Sequence, residues 1–213
     1  TENPYWPYLH YWTDFARRAA FVTRQSQLVA DILLINPLES VWALTESYFS
    51  DEHPTWDQYS LEIDQIYASA MRKMNENNID FLIADKYYLD KGKVDSNREF
   101  TKITINNHEF SAIVLPPMCV ISRPASNKIL EFAKRGGIIL ILGALPQGSP
   151  EEGIKDSVII GQMKALKQFP NVIDLASDKN RLSKMITTLN EKIKPQIQLE
   201  NSGRLYTAHR KIA

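Results

Sequence analysis

Short runs of consecutive apolar residues alternate along this chain with longer amphipathic segments. The runs are ILLI, FLIA, AIVL, IILIL and VIDL, and one of the amphipathic segments places Leu182, Met185, Ile186, Leu189 and Ile193 at helical spacing. Continuous apolar runs are typical of strands that are buried on both faces, as they are in parallel sheets. Strands that alternate with helices predict an α/β fold, with a mostly parallel sheet covered by helices on both faces.

The pattern changes at both ends of the chain, which predicts three parts. Residues 1–30 are aromatic at first and then helical, and we interpret them as a lead-in that packs on the domain. Residues 31–195 carry the α/β alternation. Residues 196–213 break it and predict the start of a following β-rich domain. Because the sequence opens on TENP, without a methionine, we interpret the chain as an excised or processed fragment.

Composition argues against several classes of partner. Lys and Arg together number 25, as do Asp and Glu, so the net charge is +0 and favours neither nucleic acid nor an anionic membrane. No apolar run is long enough to span a bilayer. The single cysteine excludes an internal disulfide and a cysteine-rich zinc site, and the four histidines lack ligand spacing. We therefore expect no metal, no nucleic acid and no membrane partner.

The glycine-rich segment GGIILILGALP raises the question of a nucleotide site. Gly136 and Gly137 follow a predicted helix and precede a strand, which is the wrong end of a helix for binding an anion, so a helix C-cap is the better interpretation. Gly143 does lie at the carboxyl end of a strand, where ligands of α/β sheets bind. The sequence after it, GALPQGSPEEG, has no GxGxxG order. We expect no cofactor.

Two carboxylates are candidates for sugar chemistry. Glu39 follows the first predicted strand and Asp85 ends the second, so both could face one crevice as an acid and a base. Trp42 and Tyr88 could form a sugar-stacking platform at the same edge. The alternative interpretation places Glu39 in the first turn of a helix, Asp85 in a turn, and the aromatic residues in packing or at a domain interface.

The densest aromatic patch is PYWPYLHYW, which contains Trp6 and Trp12. We interpret it as a surface that packs against a neighbouring domain, and sugar binding is the alternative. Cys119 lies in PPMCVIS, without the small neighbours that a nucleophile elbow needs, so we expect a buried or half-buried thiol rather than a catalytic one. The sequence thus assigns no catalytic residue.

Four segments together resemble a known family. They are RAAFVTRQSQLVADILLINPLESVWAL, HEFSAIVLPPMCVIS, EFAKRGGIILILGALP and GRLYTAHRKIA. They are similar to segments of large glycoside hydrolases of the α-L-rhamnosidase type (family 106 and relatives). The resemblance covers most of the chain, and its motifs are structural ones.

The resemblance implies a three-layer, flavodoxin-like domain of the class I glutamine-amidotransferase-like type. It looks like the non-catalytic accessory domain between a catalytic (β/α)8 barrel upstream and a β-sandwich downstream; β-galactosidases with a trimerisation domain contain a similar one. The partners would be these domains of the same polypeptide, with carbohydrate as a further candidate. The parent would act in polysaccharide degradation, in the periplasm or after secretion. A free-standing flavodoxin-like binding domain and a degenerate amidotransferase-like protein that uses Cys119 remain alternatives.

Overall fold

A computed structural model describes residues 3–45, 58–97, 100–193 and 207–212. The chain divides into two compact units, a smaller one of residues 1–29 with 208–213 and a larger one of residues 30–207. Most of the loop predicted over SDEHPTWDQYS, and the strand predicted at IQLEN, lie outside the described residues.

The described helices and strands alternate along the chain as follows. They are, in chain order, a 3-10 helix (Trp6–Tyr8), α1 (Leu9–Arg24), β1 (Ser26–Leu28), β2 (Ile32–Ile35), α2 (Leu38–Leu44), α3 (Gln58–Glu76), β3 (Phe81–Ala84), α4 (Lys86–Asp90), β4 (Lys93–Ser96), β5 (Thr101–Ile105), β6 (His108–Phe110), β7 (Ala112–Leu115), α5 (Arg123–Lys134), β8 (Ile138–Ile141), α6 (Ser157–Leu166), β9 (Val172–Asp174), α7 (Arg181–Lys192) and β10 (Arg210–Ile212).

The main sheet of the larger unit has the strand order β3-β2-β7-β8-β9, and every neighbouring pair in it is parallel. Numbered along the chain within this sheet, the order is 2-1-3-4-5, which is the order of flavodoxin-like folds. The five apolar runs of the sequence each form or contain one of these strands. The predicted α/β fold with a mostly parallel sheet is confirmed.

Each face of the sheet is covered by helices, because successive strand residues point to opposite sides. Ile113 and Ile139 join one core with α5 and α6, and their neighbours Val114 and Leu140 join a second core with α3 and α7. All four of these strand side chains are fully buried. Three layers follow from this arrangement, as predicted.

A second, antiparallel sheet of order β4-β5-β6 belongs to the same unit. The hairpin predicted around Asn106 and Asn107 joins β5 to β6, and Asn106 has a φ of 53°. The prediction of a loop over KYYLDKGKVDSN was wrong, since this segment forms α4 and β4. In β4 only Val94 is buried, so its sequence lacks the apolar run that marks the central strands.

The glycine pair ends α5, as predicted. Gly136 has a φ of +94° and its N–H donates to Ala133 O at 3.0 Å, while the Gly137 N–H donates to Phe132 O at 2.9 Å. These two hydrogen bonds form a Schellman motif, which satisfies the last carbonyls of the helix. A Cβ atom on Gly137 would lie within 3 Å of the Phe132 ring, which is fully buried.

The smaller unit pairs the two ends of the chain. β1 and β10 form an antiparallel ribbon, with Ser26 opposite Ile212 and Leu28 opposite Arg210. The Arg210 guanidinium donates to Ser26 Oγ at 2.7 Å and to Thr23 O, near the end of α1, at 3.0 Å. The segment predicted to open a following β-rich domain thus supplies β10, and that following domain stays a prediction.

We expect Gly137→Ala to destabilise the protein by about 1–3 kcal/mol, because the added methyl group overpacks the core around Phe132. Gly161→Ala in α6 is the matched control, since nothing lies within 4 Å of its Cβ position. That change should be neutral or stabilise by up to about 1 kcal/mol through helix propensity. Urea unfolding followed by circular dichroism measures both. Equal effects of the two variants would contradict the packing at Gly137.

Candidate functional site

The carboxyl edge of the main sheet is the place where α/β folds of this strand order bind ligands. The order reverses between β2 and β7, and the crevice beyond these two strands is the usual site. Here the loop after β2 leads into α2 at residues 36–40, and the loop after β7 leads into α5 at residues 116–122. The contacts between these loops decide what the crevice can hold.

Ser40 joins the two loops at this point. Its Oγ accepts hydrogen bonds from the N–H groups of Cys119 and Val120, each at 3.0 Å, and donates to Val120 O at 3.0 Å. The residue is fully buried. The prediction of a helix cap near Ser40 was wrong, because Pro37 is the N-cap residue of α2 and Ser40 lies inside the helix. Its hydroxyl is saturated by the neighbouring loop.

Glu39 lies beside Ser40, in the first turn of α2. Its Oε1 forms an ion pair with Lys86 Nζ at 2.8 Å, and its Oε2 accepts a hydrogen bond from the Ser122 N–H at 3.3 Å. The hydrogen bond to Glu39 raises the pKa of Lys86. This carboxylate therefore connects α2 to α4 and to the start of α5, which is a structural arrangement.

Asp85 is the N-cap residue of α4. Its Oδ1 accepts hydrogen bonds from the N–H groups of Tyr87 at 3.0 Å and Tyr88 at 3.2 Å. The interpretation of Asp85 as a local structural residue agrees with this geometry, which is a helix cap. Both candidate carboxylates, Glu39 and Asp85, thus bind backbone N–H groups.

The candidate aromatic residues lie on two separately described units. Trp42 on α2 and Tyr88 on α4 belong to the larger unit, whereas Trp6 and Trp12 belong to the smaller one. All four side chains are exposed. Beside Tyr88, Lys86 Nζ lies 5.3 Å from the centre of the Tyr87 ring, within the range of a cation–π interaction.

The N-termini of the long helices at this edge also face carboxylates of the chain. Both oxygens of Glu151 lie 3.2 Å from the Arg123 N–H at the start of α5. Asp156 caps α6 by accepting from the Val158 N–H at 2.8 Å, and its Oδ2 binds Arg123 Nε at 2.7 Å and Ser149 Oγ at 2.6 Å. These side chains take the positions that the phosphate of a nucleotide occupies at a helix N-terminus.

The remaining glycine and the cysteine also lie in these loops. A Cβ atom on Gly143 would fall within 3 Å of the Pro117 ring, so the glycine allows the loops after β7 and β8 to touch. Cys119 is partly buried, as expected, and its thiol donates to Ser40 O at 3.7 Å. Nearby, the Tyr59 hydroxyl donates to Met118 O at 3.4 Å, and burial raises the pKa of Tyr59 to about 12.

One cleft of the larger unit was missed by sequence reasoning. It has a volume of about 210 Å³ and lies between β3 and the β5–β6 hairpin. Its floor is apolar, with Leu33 and Phe110, and its lining includes Tyr88, Asn106 and His108. Only Tyr88 carried a signal in the sequence, because the strand pairing that builds this cleft is not local.

Searches for metal sites and membrane spans cover only the residues that the structure describes. Among them, no cluster of three or more His, Cys, Asp or Glu side chains is placed to hold a metal ion. Within the same residues, none of the helices combines the length and the apolar character that crossing a bilayer requires.

Comparisons with known proteins give a distant likeness to glycoside hydrolases. No family model and no curated protein matches the chain. Among solved structures, it is similar to Gan42B, a GH42 β-galactosidase whose source is abbreviated G., at 15% identity and a TM-score of 0.39 over 60% of this chain. It is also similar to a GH42 exo-carrageenase from Bacteroides ovatus, at 15% identity and a TM-score of 0.44 over 75% of this chain.

A third similar structure is the α-L-fucosidase isoenzyme 2 from Paenibacillus thiaminolyticus, at 20% identity and a TM-score of 0.33 over 59% of this chain. The chain spans only 15%, 17% and 14% of the lengths of these three proteins, in the order given. At these values the comparison identifies no substrate.

We expect Ser40→Ala to destabilise the protein by about 1–3 kcal/mol, because it leaves the buried N–H groups of Cys119 and Val120 without their acceptor. Ser183→Ala on the exposed side of α7 is the control and should change stability by less than about 0.5 kcal/mol. Chemical denaturation gives both values. If Ser40→Ala behaved like the control, Ser40 would not hold the crevice closed.

The Asp156 carboxylate should make stability depend on pH in the acid range. Arg123 first, and then Ser149 and the capped N–H groups, hold the pKa of Asp156 below its ordinary 3.8. A lowered pKa in the folded state stabilises the protein above pH 3.8, and this contribution is lost as the pH falls below that value. The stability difference between the wild type and Asp156→Asn should therefore be constant from pH 7 to pH 5 and shrink below about pH 4. Urea titrations at several pH values test this, and a difference that grew on acidification would contradict it.

Proposed function

We propose that this chain is a non-catalytic accessory domain of a larger glycoside hydrolase of the α-L-rhamnosidase type. In this role it supports the catalytic barrel of an enzyme that degrades polysaccharides, with the barrel upstream and a β-sandwich downstream. The parent enzyme would act in the periplasm or outside the cell.

The observation that carries this proposal is the state of the carboxyl edge of the main sheet. Ser40 saturates the backbone groups at the crevice, and Glu39, Glu151 and Asp156 bind the N–H groups at the starts of α5 and α6. A ligand or a reacting carboxylate would have to displace these internal hydrogen bonds. A scaffold needs no such displacement.

The family assignment within this proposal comes from the sequence. The segments around ADILLINPLESVWAL, FSAIVLPP and RGGIILILGALP resemble the accessory domain of the rhamnosidase-type enzymes, and in the structure they form β2, β7 and β8 with their loops. In that family the acid and base belong to the barrel, so the absence of an assembled pair among the described residues of this chain is compatible with the proposed role.

Activity measurements separate this proposal from a catalytic role. The 213-residue chain should not accelerate the hydrolysis of p-nitrophenyl α-L-rhamnoside, whereas the polypeptide encoded by the complete open reading frame should. In that polypeptide, Glu39→Gln and Asp85→Asn should each change kcat by less than about threefold, since loss of a general acid or base costs about 10²–10⁴-fold. Hydrolysis by the 213-residue chain at enzyme-like rates would overturn the proposal.

A second candidate function is small-molecule binding, which the cleft beside Tyr88 favours. Its apolar floor and polar rim have the character of a ligand site, although about 210 Å³ is less than most such sites offer. A ligand that binds the native state raises the melting temperature. Thermal shift with rhamnose, flavins, NAD and ATP tests this candidate, and under the accessory-domain proposal none of them shifts the melting temperature at millimolar concentration.

A further inference from the structure

The smaller unit exposes an unusual amount of aromatic surface. In residues 3–29, seven aromatic side chains are each between 64% and 74% exposed, namely Tyr5, Trp6, Tyr8, Tyr11, Trp12, Phe15 and Phe21. No residue of α1 is buried, and neither is any other described residue of this unit. A 16-residue helix without a buried face is marginal in water, because helices in proteins depend on packing.

The exposed area is large enough for a stable interface. A fully covered aromatic side chain buries roughly 150–250 Å², so seven rings exposed by about two-thirds offer roughly 700–1,200 Å². A standard protein interface buries roughly 800 Å² on each partner, and the largest apolar patch of a typical monomer is roughly 300–600 Å². This surface is therefore of the size that a protein partner covers.

The geometry of α1 favours a groove over a flat surface. At 100° per residue, Phe21 lies nine positions after Trp12 and thus on the opposite side of the helix. Both side chains are exposed. A bilayer or a flat sugar face would contact one side of the helix, whereas the walls of a protein groove contact both.

The charge of α1 indicates the character of that groove. Arg17 forms an ion pair with Asp14 at 3.0 Å, and Arg18 and Arg24 add further positive charge. A second copy of α1 would bring the same positive charges to the interface. Carboxylates at the rim of the groove would complement them.

We infer that α1 docks, through the aromatic side chains of residues 5–21, into an apolar, acid-rimmed groove on another domain of the same polypeptide. The inference rests on the proposed function for the identity of that domain, which is then the catalytic barrel. The larger unit has its own two cores, so the docked element is the smaller unit.

Site-specific photo-crosslinking in the polypeptide from the complete open reading frame tests the inference. The probe p-benzoylphenylalanine replaces Tyr11, or Tyr87 of the larger unit as a matched control, since both side chains are 67% exposed. The Tyr11 probe should crosslink within one polypeptide to residues outside the 213-residue chain, in at least tenfold higher yield than the Tyr87 probe. Amide hydrogen exchange in α1 should be at least 100-fold slower in the long polypeptide than in the 213-residue chain.

Other occupants give different results, and each overturns the inference. Crosslinks between two polypeptides mean that a second copy covers α1. Co-sedimentation of the 213-residue chain with phosphatidylcholine–phosphatidylglycerol vesicles, lost in Trp12→Ser, means a lipid surface. Equal crosslinking and exchange in the two settings, or a reading frame without a further domain, means that nothing in the polypeptide covers it.

The two proposals fail separately. If the long polypeptide hydrolyses the rhamnoside but the Tyr11 probe does not crosslink, the docking of α1 is wrong and the accessory role stands. If the crosslink forms but no glycoside is hydrolysed, the docking stands and the glycoside hydrolase assignment is wrong.

Discussion

The hydroxyl group of Ser40 joins the two loops that follow the central strands of the main sheet. It bonds to two N–H groups and one carbonyl of the loop after β7, and these bonds use its single donor and both its acceptor sites. Strand order 2-1-3-4-5 opens a crevice between these loops, and in flavodoxin-like proteins the ligand closes it. Here a side chain of the protein does so, and the architecture is retained without its usual binding site.

Electrostatics at the same edge follow the same principle. The starts of parallel-sheet helices carry partial positive charge from unpaired N–H groups, and each needs a negative partner. In this chain Asp85 and Asp156 cap α4 and α6, and Glu151 faces the start of α5. Arg123 binds Asp156 and Glu152 and keeps the acidic cluster balanced. Because these partners are covalently part of the fold, the edge is stable without a bound anion.

The sequence predicted the main sheet well because its signals are local. The apolar runs and the glycine pair after α5 identify strands and a cap from neighbouring residues alone, and the structure confirms them. The same reasoning placed Glu39 in a first helical turn but could not find Lys86, 47 positions away, as its partner. Ser40 was misread as a cap because its bonds reach residues about 80 positions distant. Contacts of this kind depend on strand order, which apolar patterns do not encode.

The two units differ in where their stabilisation comes from, and this difference bears on the role of the chain. The larger unit buries complete apolar strands between helices and satisfies the polar groups at its carboxyl edge internally, so it needs no partner to fold. The smaller unit places its aromatic side chains outside any core and holds its described part together with α1 and the short β1–β10 ribbon. Arg210 fastens that ribbon to the end of α1. A self-sufficient sheet domain joined to an element that requires an external apolar surface has the organisation of a scaffold between larger parts, because its free energy of association is concentrated where its own core is absent.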